Sequence, residues 1–174
     1  GMFDLTYLRC VPNLTIMAPS NENECWQMLD FGYSHKGPVA IRYPRGNAPG
    51  ENINKVGREI ELGKANILRR KDSSEIAILS FGSLFNISKE VASELDTTLI
   101  DMRFVKPLDE ELLKELSKTH KLFVTVEENV IAGGAGSSVN EFVNANYLNV
   151  SVLNFGISDE FPVVGSPDDQ KEAS

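Results

Sequence analysis

Between residues 76 and 153, short apolar runs alternate with stretches of helical spacing, and few folds accommodate that order. Ile76-Ala77-Ile78-Leu79, Thr98-Leu99-Ile100, Leu122-Phe123-Val124-Thr125-Val126 and Val150-Ser151-Val152-Leu153 read as strands. Between them, Leu84, Ile87, Val91 and Leu95 mark one helix, Leu112, Leu113 and Leu116 a second, and Val139, Phe142 and Val143 a third. Strands joined in sequence by helices through short connections predict an α/β fold, a mainly parallel sheet with helices on both faces. Ala65-Asn66-Ile67-Leu68 adds an edge strand and Lys71-Asp72-Ser73-Ser74 a turn. Asp109 is placed to cap the second helix, with Glu110 and Glu111 in its first turn.

The first part of the chain holds a smaller strand, helix, strand unit. Leu14-Thr15-Ile16-Met17-Ala18 reads as a strand ended by Pro19, and Ser20 as the N-cap of a helix that Gly32 closes. Val39-Ala40-Ile41 is the second strand, ending at Arg42. One such unit covers a single face of two strands, too little for an independent core. Residues 46–59 then turn to Asn, Gly, Pro and charge, which is linker composition. The expected division is 1–47, a partial α/β unit; 48–59, a linker; and 60–174, the larger α/β domain, whose periodicity fades after Phe161.

A formal net charge of −8 argues against nucleic acid and anionic membrane as partners, since both are held through clustered Lys and Arg. No apolar run is long enough to cross a bilayer, and the expected compartment is the cytoplasm. Cys10 and Cys25 lack the paired spacing of a zinc site and are expected to fill core, and His35 and His120, in polar surroundings, to be solvated.

Against that acidic background Arg42 and Arg45, in Arg42-Tyr43-Pro44-Arg45-Gly46-Asn47, stand at a strand end. Ligands of open α/β sheets bind at the carboxyl ends of strands, and a guanidinium suits a phosphate or carboxylate. The rival reading is an ion pair holding the linker. A second candidate is the loop Gly133-Gly134-Ala135-Gly136-Ser137, which could offer backbone N–H groups to an anion at a helix N-terminus. It lacks the third glycine of a dinucleotide fingerprint, and Glu127 and Glu128 just before it would repel a phosphate, so tight turning and close packing is the favoured reading. Adjacent on a strand, Glu127 and Glu128 point to opposite faces and cannot readily act on one atom. Ser83 reads as a helix cap, and the charges of Asp101-Met102-Arg103 as local surface pairs.

Five blocks, residues 3–9, 17–24, 42–47, 101–109 and 126–137, resemble, in this order, the 1-deoxy-D-xylulose-5-phosphate synthases of the transketolase-like, thiamine-diphosphate-dependent family. The resemblance runs from Phe3 to about Pro162. It implies that the chain corresponds to the last part of a pyrimidine-binding domain and most of a transketolase C-terminal domain. A diphosphate-binding domain with its Gly-Asp-Gly, the family histidine before Phe3-Asp4 and an ordinary helical end after Pro162 are not expected within it. For the full-length enzyme the resemblance implies condensation of pyruvate with D-glyceraldehyde 3-phosphate and loss of CO2, giving 1-deoxy-D-xylulose 5-phosphate for isoprenoid, thiamine and pyridoxal biosynthesis. Thiamine diphosphate and Mg would be the cofactors, and a homodimer the assembly. Only Arg45 matches a family site position, a contact to the aldehyde's phosphate; Arg42 has a weaker claim. No catalytic, cofactor or metal residue, and no bound cofactor, is expected within this chain, which alone should be inactive. The rival readings are a non-catalytic structural or dimerisation module, and a piece of a 2-oxoacid dehydrogenase beta-type subunit.

Overall fold

The computed structural model describes residues 1–45, 49–53 and 60–161. A short helix α1 (Asp4–Arg9) precedes strand β1 (Thr15–Met17), helix α2 (Glu22–Ser34) and strand β2 (Val39–Ile41). β1 and β2 pair in parallel, as a strand, helix, strand crossover requires. Asn21, not Ser20, caps α2: its side chain accepts from the Glu24 N–H at 2.9 Å, while the Ser20 hydroxyl is spent elsewhere. Both residues are good cap types, so sequence could not choose between them. Nor does Gly32 close the helix. It lies inside α2 where the chain passes close to β2, a Cβ there meeting Val39 Cγ1 at 3.4 Å, and α2 runs on until His35 turns extended.

The remaining elements are β3 (Asn66–Arg69), β4 (Ile76–Phe81), α3 (Phe85–Glu94), β5 (Thr98–Asp101), β6 (Phe104–Lys106), α4 (Glu110–Leu116), β7 (Leu122–Val130), α5 (Ala135–Ala145) and β8 (Ser151–Ile157). The larger sheet has the order β3-β5-β4-β7-β8, parallel throughout except for β3, which lies antiparallel on β5 at the edge. Helices cover both faces, as the alternation predicts. Leu79, Phe81 and Phe123 pack with Leu113, Leu116, Val139 and Phe142 of α4 and α5 on one side, and Ile78 and Leu99 with Phe85 and Ala92 of α3 on the other. Asp109 caps α4 as expected, accepting from Leu112 N–H at 3.1 Å.

Sequence reading misses two elements, α1 and β6. β6 runs antiparallel to β1, so residues far apart in the sequence form a second sheet of order β2-β1-β6, with Met17, Met28, Ile60 and Phe104 buried beside it. The edge of β1 that the small unit would leave open is thereby covered.

Other expectations need correction. α3 buries Phe85, Ser88 and Ala92, leaving Ile87, Val91 and Leu95 exposed at its flank. Small residues face the sheet because the helix comes close enough for Ser88 Oγ to donate to Ser80 Oγ at 3.1 Å. His120 is buried rather than solvated, with Nε2 against Thr98 Oγ1 at 2.8 Å and Nδ1 near Thr119 Oγ1 and Leu116 O. His35 is half-buried and stacks on Phe31. Cys10 is exposed and Cys25 half-buried, so neither fills the core. The expected fading after Phe161, and the linker beyond Ile53, fall largely outside the described residues.

Candidate functional site

The end of β2 and the end of β7 meet. Arg42 extends the β2 ladder by one bond, its N–H donating to Met17 O at 2.9 Å. Its side chain turns into the larger domain, where Nη1 donates to Glu128 Oε2 at 2.7 Å and Nη2 to the Glu128 backbone carbonyl at 3.0 Å. The ion-pair reading of Arg42 thus finds its partner 86 residues away. Ser83, expected to cap α3, instead donates to the same Glu128 oxygen at 2.8 Å; the N-cap position is Leu84, without a side-chain bond. Arg45, three residues on, is exposed.

Glu127 points the other way, as neighbours on a strand must. Its carboxylate accepts from the backbone N–H groups of Ala135 and Gly136, both at 2.7 Å. The anion site that the glycine loop could have offered is therefore filled from within. Burial pushes the Glu127 carboxyl up to about 7, against the pull of those two N–H donors and of Arg9 and Arg42. The glycines serve approach: a Cβ on Gly134 would stand 2.6 Å from Val130 O and 2.7 Å from Glu127 Oε1. From outside, α1 holds the loop, with Arg9 Nη1 donating to the carbonyls of Gly133 and Gly134 at 2.6 and 2.9 Å and Nη2 pairing with Glu141. Asn129 completes this contact, accepting from Leu5 N–H at 3.1 Å and donating to Thr6 Oγ1 at 2.9 Å.

A third cluster joins α2 to the β5–β6 corner. Arg103 Nη2 donates to Glu24 Oε1 at 2.5 Å, both residues buried, so the expected surface pair is a buried one. Asp101 Oδ2 accepts from Ser20 Oγ at 2.6 Å, and Oδ1 from Arg103 N–H at 3.2 Å. With about 80 residues between the partners, nothing in the local sequence marks this cluster; only the unusual density of charge at a strand end hints at it.

Burial pushes Asp101 up to about 7, the Glu24 charge adding to the rise while Ser20 and Arg103 oppose it. The folded chain then keeps a proton that the unfolded chain, with a carboxyl near 3.8, releases. The stability contributed by this group is present at acid pH and falls as pH rises from roughly 4 to 7. Protonated, Asp101 would turn the Ser20 bond round, donating to Oγ while still accepting from the Arg103 N–H, and asparagine can do the same. Asp101→Asn should therefore raise Tm relative to the parent chain more at pH 8 than at pH 5. An equal difference at both pH values would show that Asp101 does not titrate in this window.

With this geometry in hand, the matches to known proteins can be placed on it. Residues 63–174 match the model of the transketolase C-terminal domain, and residues 1–51 that of the transketolase pyrimidine binding domain. The chain belongs to the transketolase family. Among curated transketolase-family relatives, 1-deoxy-D-xylulose-5-phosphate synthase of Vibrio atlanticus is 50% identical over 176 residues, covering 99% of this chain and 28% of that protein. The synthases of Mannheimia succiniciproducens and Pectobacterium atrosepticum are each 53% identical, covering 95% and 97% of this chain and 26% and 27% of theirs. The chain thus spans little more than a quarter of the length of these relatives. Among solved structures, a split-gene transketolase described as an inactive β4 tetramer superposes with a TM-score of 0.78 at 26% identity, over 91% of this chain and 53% of that one. Transketolase of Campylobacter jejuni, at 20% identity and a TM-score of 0.66, shares the fold over 97% of this chain and 25% of its own. The described residues do not fit the cofactor of the family. The backbone donors at the α5 N-terminus are taken by Glu127, and no group of three or more His, Cys, Asp or Glu among these residues could hold a metal ion.

Proposed function

We propose that this chain is the phosphate-recognising C-terminal part of a cytoplasmic, homodimeric 1-deoxy-D-xylulose-5-phosphate synthase, divided at about residues 48–59 into the end of a pyrimidine-binding domain and a C-terminal domain. The full-length enzyme would join pyruvate to D-glyceraldehyde 3-phosphate with loss of CO2, using thiamine diphosphate and Mg held by sequence outside this chain. Arg45 grips the phosphate of the aldehyde. One observation carries the assignment between the two arginines. Arg42 is committed to Glu128 by two hydrogen bonds, and the exposed Arg45 stands at the same strand end. A planar guanidinium can make two charge-assisted bonds to one phosphate, which fixes the aldehyde as well as binding it.

Arg45→Ala in the full-length enzyme should raise KM for D-glyceraldehyde 3-phosphate by about tenfold to a hundredfold, the loss of one or two charge-assisted bonds. Decarboxylation of pyruvate in the first half-reaction should be unchanged. Equal loss of both steps would sink the assignment. The isolated chain, given thiamine diphosphate, Mg, pyruvate and the aldehyde phosphate, should give no turnover above blank. The split-gene relative described as inactive supports that expectation.

A further inference from the structure

The stretch that carries Arg45 is held in place by the opposite domain. Arg42 is fixed by its backbone N–H on Met17 and by both ends of its guanidinium on Glu128, whose carboxylate is in turn held by Ser83. Only Tyr43 and Pro44 separate Arg42 from Arg45. Three Cα steps span at most roughly 11 Å. The Pro44 ring fixes its own φ and confines Tyr43 to extended conformations, so few torsions are left to absorb a movement. A shift of Arg42 is passed on to Arg45.

The charges around Arg42 fit a holding role better than a binding one. Besides the Glu128 carboxylate it faces those of Asp4, whose pKa it helps to lower, and Glu127. With three acidic groups about it, Glu128 in direct contact, little positive field is left for a phosphate. We propose that Glu128 is a positioning residue for the anion site at Arg45. By gripping Arg42 it sets the place of the β2 end, and so makes phosphate recognition depend on the C-terminal sheet. This rests on the reading of Arg45 as phosphate anchor.

The test uses the full-length, cofactor-loaded enzyme and two aldehydes, D-glyceraldehyde 3-phosphate and D-glyceraldehyde, with the variants Glu128→Gln, Arg42→Gln, the double variant, and Arg45→Ala. Glu128→Gln keeps the shape and one acceptor oxygen but loses the charge. It should raise KM for the phosphorylated aldehyde roughly tenfold, since a misplacement of about 1 Å can cost up to a hundredfold. The KM for pyruvate and kcat/KM for D-glyceraldehyde should stay as in the parent. The double variant should be no worse than the worse single one, because both remove the same clamp. Glu128→Asp, which keeps the charge, should recover part of the loss, and thermal melts of each variant separate misfolding from misplacement. Equal loss with both aldehydes overturns the proposal. A lower KM for the phosphorylated aldehyde also overturns it, since that would mean Glu128 masks Arg42, itself the phosphate ligand. If Arg45→Ala discriminates between the aldehydes while Glu128→Gln does not, the phosphate anchor stands and the positioning role falls. If Arg45→Ala fails to discriminate, both fall.

Discussion

Replacing Arg103 by methionine should cost the fold about 3–5 kcal/mol, the loss expected when one partner of a buried ion pair is removed. The cost has two origins. Glu24, buried with its Oε1 on the guanidinium, would be left without its counter-ion, and the Asp101 carboxyl stands close enough for the two acids to repel. Methionine keeps the length of the stem, so lost packing is a smaller part of the effect than with alanine. Arg103 also sits at φ 55, a left-handed conformation that neither side chain favours, so that strain is common to both proteins and cancels. Adding Glu24→Gln should recover a large part of the loss, because a neutral amide needs no counter-ion. Urea midpoints of the parent, the single variant and the double variant of this chain measure it. A single variant within about 0.5 kcal/mol of the parent would place the pair among those that contribute nothing.

Gly136→Ala should be nearly as damaging, although ordinary helix energetics predict the reverse. Gly136 lies in the first turn of α5, and glycine to alanine at a compatible helical site stabilises by roughly 0.4–1 kcal/mol. Here the added methyl would overlap Asn154 Nδ2 and Thr125 Oγ1. Neither atom is the loose end of a flexible chain. Asn154 donates to Thr125 Oγ1 at 2.8 Å and accepts from Asn140 at 2.9 Å, tying β8 to β7 and α5. Moving it would break that network, and moving α5 would pull Gly136 N–H from Glu127, so a loss of about 3 kcal/mol outweighs the helical gain. Gly32→Ala in α2 is the matched control. Its Cβ would meet Val39 Cγ1 at 3.4 Å, an ordinary contact, and Tm should hold or rise. If both variants behave alike, the steric argument is wrong.

The parts of this fold that sequence reveals are those whose signal is local. β4 and β7 are buried runs bounded by polar residues, and α4 announces itself through Asp109 and the two glutamates that follow it. Where partners are distant, the local signal misleads. Leu84, Ile87, Val91 and Leu95 form a proper helical stripe, yet Ser88 and Ala92 face the sheet, because closeness of approach selects small side chains and periodicity reads only hydrophobicity. His120 looks solvated among polar neighbours until Thr98 is brought against it. β6 is three residues long and follows a left-handed Arg103, so neither alternation nor length marks it. The candidate site divides in the same way. An ion pair for Arg42 was legible as a class of interaction, but Glu128 as its partner was not. The preference for Arg45 came first from resemblance, and gains a physical reason only when Arg42 is seen to be engaged elsewhere.

The pairing of β1 with β6 also has a meaning in time. Met17 lies opposite Phe104, so 104 − 17 = 87 residues must be made before the strand that covers β1 exists. At about 5–20 residues per second that is roughly 4–17 seconds of synthesis during which this edge of β1 lacks the partner it has in the finished fold. A pairing of such long range is also slow to form once both strands are present. Until β6 has been made, this edge of β1 is open to a chaperone or to pairing with another nascent copy.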